Sequence, residues 1–209
     1  IDLIYGTKYQ TATSFQESLE QFIDSQTNHL SLYQLTIEPN TIFYKKELKL
    51  PNEDQIEEME QLALQILESN GYKQYEVSSW SRPGFESKHN LNYWQFGDFL
   101  GLGPGAHSKI TVGPEITRFR KIKPLNGYIA KQTIADHTII QGEELDMDLA
   151  MNLLRIKDGI LHDQLGVELP KSFLKKYQLG VEEGLLLEDK IGATARGYQY
   201  LNETIKLFF

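Results

Sequence analysis

His89, Asn90, Tyr93 and Trp94 fall within the six residues "HNLNYW", and together they carry the chemistry of a site for a large planar ligand. The imidazole supplies an axial nitrogen donor, the neighbouring amide can orient that ring through its second nitrogen, and two aromatic rings supply flat apolar area. A loop histidine beside core aromatics accounts for the same residues equally well, and spacing alone leaves both readings open. The preceding "SRPGFESK" is rich in Ser, Pro and Gly and predicts that His89 lies in a loop. Further on, Gly97, Gly101, Gly103 and Gly105 leave a backbone free to approach a ligand closely or to turn tightly, and His107 follows as another candidate cofactor contact. "GLGPG" is not a phosphate cradle: the third glycine of the dinucleotide spacing is missing, and so is the Lys-Ser/Thr pair of a P-loop. No Ser-His-Asp triad, glycosidase carboxylate pair or HExxH helix can be defended from the residues.

These residues need a frame, and hydrophobic periodicity supplies one. "IDLIYG" is a short apolar run stopped by Gly6 and reads as a buried strand. Thr13 with Gln16 predicts a capping box, after which Phe15, Leu19, Phe22 and Ile23 share a helical face. A strand "HLSLYQL" (29–35) follows, then the turn-rich "TIEPNTIF". Asn52 opens a second helix with Ile56, Met59, Leu62, Ala63, Ile66 and Leu67 inward, and Asn70-Gly71 closes it. "YKQYEVS" (72–78) is the next strand. This alternation predicts an α/β fold with parallel strands and right-handed crossovers, an open sheet or part of a barrel. "AHSKITV" and "EITRFRKI" predict a hairpin about Gly113-Pro114.

From residue 143 the pattern changes to short helices. Met147, Ala150, Met151 and Leu154 form one stripe, "PKSFLKKY" gives another piece, "LLLEDKIGATARG" reads as a small β-wing, and a helix closes the chain from Tyr198. The expected domains are therefore 1–142, and a small helical, winged-helix-like domain over 143–209. That shape is often met in DNA binding, but residues 143–209 hold eight Lys/Arg against twelve Asp/Glu, which favours a packing or lid role.

Strand ends are the other place to look for chemistry, because ligands of parallel α/β sheets bind at the carboxyl ends of the strands. Tyr5-Gly6, Tyr33 to Thr36 and Glu76 to Ser78 occupy such positions. Asp2 stands in an otherwise apolar strand, where a buried carboxylate needs a partner: a ribose diol, an amino group or a helix N-terminus would each serve.

Composition narrows the function classes. The 209 residues are 40% hydrophobic and 24% charged, an ordinary globular balance. A net charge of -8 repels nucleic acid, which is excluded as a partner. With no cysteine the chain has no disulfide, thiolate zinc site or iron-sulfur cluster of its own. No apolar run of about eighteen residues and no secretory signal is present, so a cytoplasmic protein that is not integral to a membrane is expected. A start at Ile1 within strand-like sequence reads as a fragment.

"IDLIYG", "HLSLYQLTIEPNTIF", "GYKQYEVSSWSRPG", "HNLNYW" and "FLGLGPGAHS", in this order, resemble the radical S-adenosylmethionine family of oxygen-independent coproporphyrinogen III oxidases, and most closely its haem chaperone branch. "TARGYQYLN" extends the resemblance to the C-terminal end. The resemblance implies the later part of a partial, six-stranded (β/α) barrel, TIM-like, holding S-adenosylmethionine at its open end. It also implies a 4Fe-4S cluster whose CxxxCxxC ligands lie outside this chain, before Ile1. By the same resemblance Asp2, Ile4, Tyr33 and Thr36 contact S-adenosylmethionine. His89, Asn90, Tyr93 and Trp94 match the chaperone branch's HNxxYW motif, with His89 as the haem iron ligand. Where the family has "GLPGQT" after the first of these strands, this sequence has "GTKYQT".

The function implied is that of a haem chaperone passing haem to an acceptor protein. The alternatives are a genuine oxidase decarboxylating coproporphyrinogen III, with a reductant such as flavodoxin or ferredoxin, and a non-catalytic haem or porphyrin binding module. The fragment alone is expected to be inactive, because it has no redox centre to deliver an electron. Dimerisation through an exposed sheet edge is expected.

Overall fold

The structure is a computed structural model and describes residues 1–46, 48–130 and 134–209. The described residues form two compact units, Ile1–Ser87 and Lys88–Phe209.

The first unit is built on a βαβ crossover. Strand β1 (Asp2–Tyr5) pairs in parallel with β2 (His29–Gln34), and helix α1 (Ala12–Asp24) connects them. The cap of α1 is Thr11, not the expected Thr13: Ser14 N–H donates to Thr11 Oγ1 at 3.2 Å while Thr11 N–H donates to Ser14 Oγ at 3.0 Å. This reciprocal pair satisfies two donors at the helix start, which Thr13 with Gln16 would do only by giving up about half a turn. Phe15, Leu19 and Phe22 are buried, as their spacing predicts. One helical turn, α2 (Ile42–Lys45), begins at the end of the connection read as turn-rich. Helix α3 (Glu53–Ser69) begins at Asn52, whose side chain and that of Gln55 cap each other's amides at 3.0 Å, and it buries Met59, Ala63 and Leu67.

The third expected strand is shortened and is followed by one more. Residues 72–78 yield β3 (Lys73–Glu76), and β4 (Ser79–Ser81) folds back antiparallel and inserts between β3 and β2, giving the order β1-β2-β4-β3. All-parallel pairing is therefore replaced by a mixed sheet. The reason is Trp80: placing β4 next to β2 sets it opposite Leu30 and buries it to 5% exposure in the core with Leu30, Leu32, Leu67 and Tyr72. Fully burying an aromatic of this size is worth about 2–3 kcal/mol. Both α1 and α3 pack on this one face of the sheet.

The second unit opens with helix α4 (Lys88–Trp94). Strands β5 (His107–Val112) and β6 (Glu115–Lys121) form the expected hairpin, with Gly113 at positive φ in its turn. Helix α5 (Leu125–Ile129) and a further strand, β7 (Ile134–Ile140), follow, and β7 completes an antiparallel sheet of order β5-β6-β7. Helices α6 (Glu143–Leu153), α7 (Lys171–Glu182), α8 (Ala195–Gln199) and α9 (Leu201–Ile205) complete the unit. The buried face of α6 is Asp146, Leu149, Ala150 and Leu153, so the stripe read through Met147 and Met151 is displaced around the helix. Asp146 is accommodated on the buried face by Lys176 Nζ at 3.3 Å from its carboxylate and by Ser172 Oγ, which donates to it at 2.9 Å.

The expected wing is a turn closed by single bridges, Ile160 to Ile191 and Leu186 to Ala193. The Tyr177 hydroxyl pins it, accepting from Gly192 N–H at 2.9 Å and lying 2.8 Å from the Lys190 carbonyl. Burial pushes that phenol up to about 12. Packing does not divide at residue 142. Ile116 and Ile140 of the sheet share one core with Leu149, Leu153, Phe173 and Phe208 of the helices, so hairpin and C-terminal helices form one unit.

Candidate functional site

His89 lies on the first turn of α4 and not in a loop. Seven residues are too few for an independent helix; this one is held because Leu91 and Trp94 pack against the core of the second unit. Helical spacing then sorts the four motif residues into two faces. His89 and Tyr93, four apart, meet edge-on with ring centroids 4.8 Å apart and planes at 66°. Asn90 and Trp94, also four apart, occupy the adjoining face. Trp94 packs against the core with the Arg155 guanidinium 5.4 Å over its ring, and its Nε1 is buried without a hydrogen-bond partner among the described residues. The His89 side is exposed.

A third ring follows. Phe99, outside the motif, lies 4.4 Å from Tyr93 at 33°, so that His89, Tyr93 and Phe99 form a continuous series. The turn that brings Phe99 back is closely determined. Phe96 ends α4 at φ 59°, a left-handed conformation costly for an aromatic residue, and is buried to 2% exposure. A Cβ on Gly97 would fall 2.2 Å from Asn92 Oδ1 and 2.9 Å from the Asn92 carbonyl, so only glycine fits. Gly97 N–H donates to the Asn92 carbonyl at 2.7 Å, and Asn92 Nδ2 donates to the Asp98 carbonyl at 3.0 Å.

Asp98 then fixes the segment to β5. Its carboxylate accepts from Lys109 Nζ, Thr111 Oγ1 and Thr111 N–H, each at 2.8 Å. The Lys109 side chain is 3% exposed and its ammonium lies 4.4 Å over the Phe96 ring. Partial burial of Asp98 would raise its pKa, but the hydrogen bonds from Lys109 and Thr111 prevail and hold the carboxyl below the usual range. Phe99 and Lys109 exchange both backbone hydrogen bonds at 3.0 Å, which sets Phe99 beside the sheet. Sequence reasoning missed Asp98, Phe99 and Lys109. The only signal was an apolar residue after Gly97-Asp98, and a long-range lysine partner leaves none.

His107 does not belong to this ring series. It begins β5 and lines a cavity of about 240 Å³ with Arg118, Arg120, Asp136, Thr138 and Glu144. Arg118 is engaged there by Asp148 at 2.9 Å. Burial raises the Asp148 carboxyl even against that guanidinium.

In the first unit, Asp2 and Ile4 stand on β1 and Tyr33 on β2, with Ile4 and Tyr33 directly opposite in the parallel register. Thr36 follows two residues after β2. All four are exposed, on or next to the sheet face that α1 and α3 leave uncovered. Asp2 is thus not a buried carboxylate in need of a partner. A carboxylate beside Ile4 and Tyr33 suits a ligand that is polar at one end and flat at the other. The chain offers no thiolate, having no cysteine, and among the described residues no three His, Asp or Glu side chains converge to hold a metal ion. No helix of the described residues is long and apolar enough to cross a membrane.

No protein-family model matches the chain. Among curated proteins, the heme chaperone HemW of Buchnera aphidicola (from Acyrthosiphon pisum) is 35% identical over 214 residues, which cover all of this chain and 57% of that protein. HemW of Haemophilus influenzae is 36% identical over 216 residues, and HemW of Escherichia coli 31% over 222, each again covering the whole chain, with 56% and 57% of the relative. The chain therefore spans little more than half the length of these relatives. Among solved structures, the coproporphyrinogen III oxidase HemN of Escherichia coli, described as a radical SAM enzyme, superposes with a TM-score of 0.73 at 20% identity, over 100% of this chain and 54% of that one. The fold is thus a mixed α/β fold of the HemN kind.

Proposed function

We propose, on the premise that this chain is homologous over its whole length to the HemW haem chaperones, that it forms part of a protein that binds haem through His89 and passes it to an acceptor. The observation that carries this is the exposed His89 imidazole standing at the edge of Tyr93. An axial nitrogen next to an aromatic ring is what a flat iron macrocycle needs from a protein. In this reading Asn90, Tyr93 and Trp94 are the remaining residues of the matched motif. The first unit is part of a partial six-stranded barrel, where Asp2, Ile4, Tyr33 and Thr36 contact S-adenosylmethionine, and the helices of residues 143–209 play a packing role within the second unit. The cluster that would reduce S-adenosylmethionine would take its ligands from outside this chain, and a flavodoxin- or ferredoxin-like reductant in the cytoplasm would supply its electron.

The likeness to HemN supports a second reading, decarboxylation of coproporphyrinogen III, but at 20% identity it carries the fold alone. Haem titration of the full-length protein separates the two. The chaperone reading expects a Soret band that shifts and weakens in His89→Ala, with no protoporphyrinogen formed from coproporphyrinogen III under anaerobic reducing conditions. An unchanged Soret band in His89→Ala removes His89 as the ligand, and turnover of coproporphyrinogen III installs the oxidase.

A further inference from the structure

We propose that Phe99 is a direct haem contact, the third member of an aromatic wall formed with His89 and Tyr93, and that Trp94 serves the protein core and not the ligand. The proposal rests on the haem-binding reading above and redraws the ligand-facing set within the same site.

Two observations support it. The first is the division of α4 into faces. Residues four apart on a helix share a face. The exposed His89 shares its face with Tyr93, and Tyr93 continues to Phe99 at 4.4 Å. Trp94 lies on the neighbouring face, packed against the core beneath the Arg155 guanidinium. Of the motif's two aromatics, only Tyr93 is placed to lie against a ring held by His89.

The second is the rigidity given to Phe99. A seven-residue helix would ordinarily end in a loose connection. Here the next five residues are fixed by a left-handed Phe96, a glycine with no room for a methyl group, and an Asp98 carboxylate accepting three hydrogen bonds, one from a lysine buried to 3% side-chain exposure. Backbone strain persists only where surrounding structure enforces it, and it gathers at ligand sites; the buried Lys109 ammonium held by Asp98 is part of what enforces it here. The residue they deliver is Phe99, half-buried and placed on Tyr93 with its backbone locked to Lys109. An aromatic side chain preset in this way contributes contact area to a flat ligand without an ordering cost at binding.

The test is haem titration of the full-length protein and its Phe99→Leu, Phe99→Tyr, Trp94→Phe and His89→Ala variants, read by affinity, Soret position and melting temperature. One aromatic contact is worth roughly 3- to 10-fold in affinity. Phe99→Leu is expected to weaken haem binding by about that factor with the Soret maximum unmoved, because His89 still ligates, and Phe99→Tyr to restore it. Trp94→Phe is expected to lower the melting temperature and leave haem affinity close to that of the parent. If His89→Ala shifts the Soret band while Phe99→Leu binds haem as tightly as the parent, Phe99 is no contact and the proposal fails, with the haem reading intact. If neither variant changes haem binding, the haem reading itself falls. A loss of affinity in Trp94→Phe larger than in Phe99→Leu, at equal melting temperature, overturns the assignment of faces.

Discussion

Asp98 shows how one carboxylate sets a local structure, and its ionisation gives the pH at which that structure weakens. Hydrogen bonds from Lys109 and Thr111 hold its pKa below the ordinary value. The folded state therefore takes up this proton less readily than the unfolded chain. Its stabilisation is complete above about pH 4, the unfolded value, and drains away as pH falls through the lower folded value. Asp98→Asn should cost about 1–2 kcal/mol at neutral pH, a buried-pair penalty discounted because the Asp98 side chain is 39% exposed. Its melting temperature should also fall less steeply than that of the parent between about pH 5 and 3. Equal acid slopes in the two proteins would remove Asp98 from the account. His89 and Tyr93 were legible as a pair from their spacing once α4 is known to be helical. Phe99 was not, because its neighbour is set by a turn whose anchor, Lys109, lies ten residues further along the chain.

Among the elements, those with a strong period and their own caps were legible. Helices α1 and α3 bury the residues their spacing predicts, and Asn52 and Gly71 mark the ends of α3 as expected. Three of the elements that escaped did so for different physical reasons. Helix α4 follows a Ser-, Pro- and Gly-rich segment and exists through tertiary packing of Leu91 and Trp94, which outweighs local preference. Strand β4 has three residues, too few for a period to register. Strand β7 is exposed at six of its seven positions, so no inward and outward alternation is written into it. The turn after α4 gives the element-scale prediction. Gly97→Ala must displace Asn92 and should cost about 1–3 kcal/mol by overpacking. Paired with Asn92→Ala, which frees the side-chain space, part of that loss should return in denaturant unfolding; a double variant no better than the sum of the singles would show that the backbone contact alone decides.

On the scale of the molecule, the sequence placed the boundary at a change of pattern, and packing places it where the contacts thin, after Ser87. A change of element type is visible in a sequence, whereas a core shared by hairpin and helices is long-range and is not. The two cores predict independent responses. Leu149, fully buried in the second, should cost about 3 kcal/mol on replacement by alanine. Hydrogen exchange should then quicken in α6 and α7 while α1 and α3 keep their protection, and equal loss in both would argue for one cooperative body.

The ammonium of Lys109 makes the second unit report on its own opening. With its side chain 3% exposed and bound to Asp98, it is shielded from amine-directed reagents that will modify surface lysines within the first minutes. Acylation of Lys109, followed by mass spectrometry, therefore acts as a clock for the transient release of the Asp98 latch. Haem bound against that segment should slow the clock.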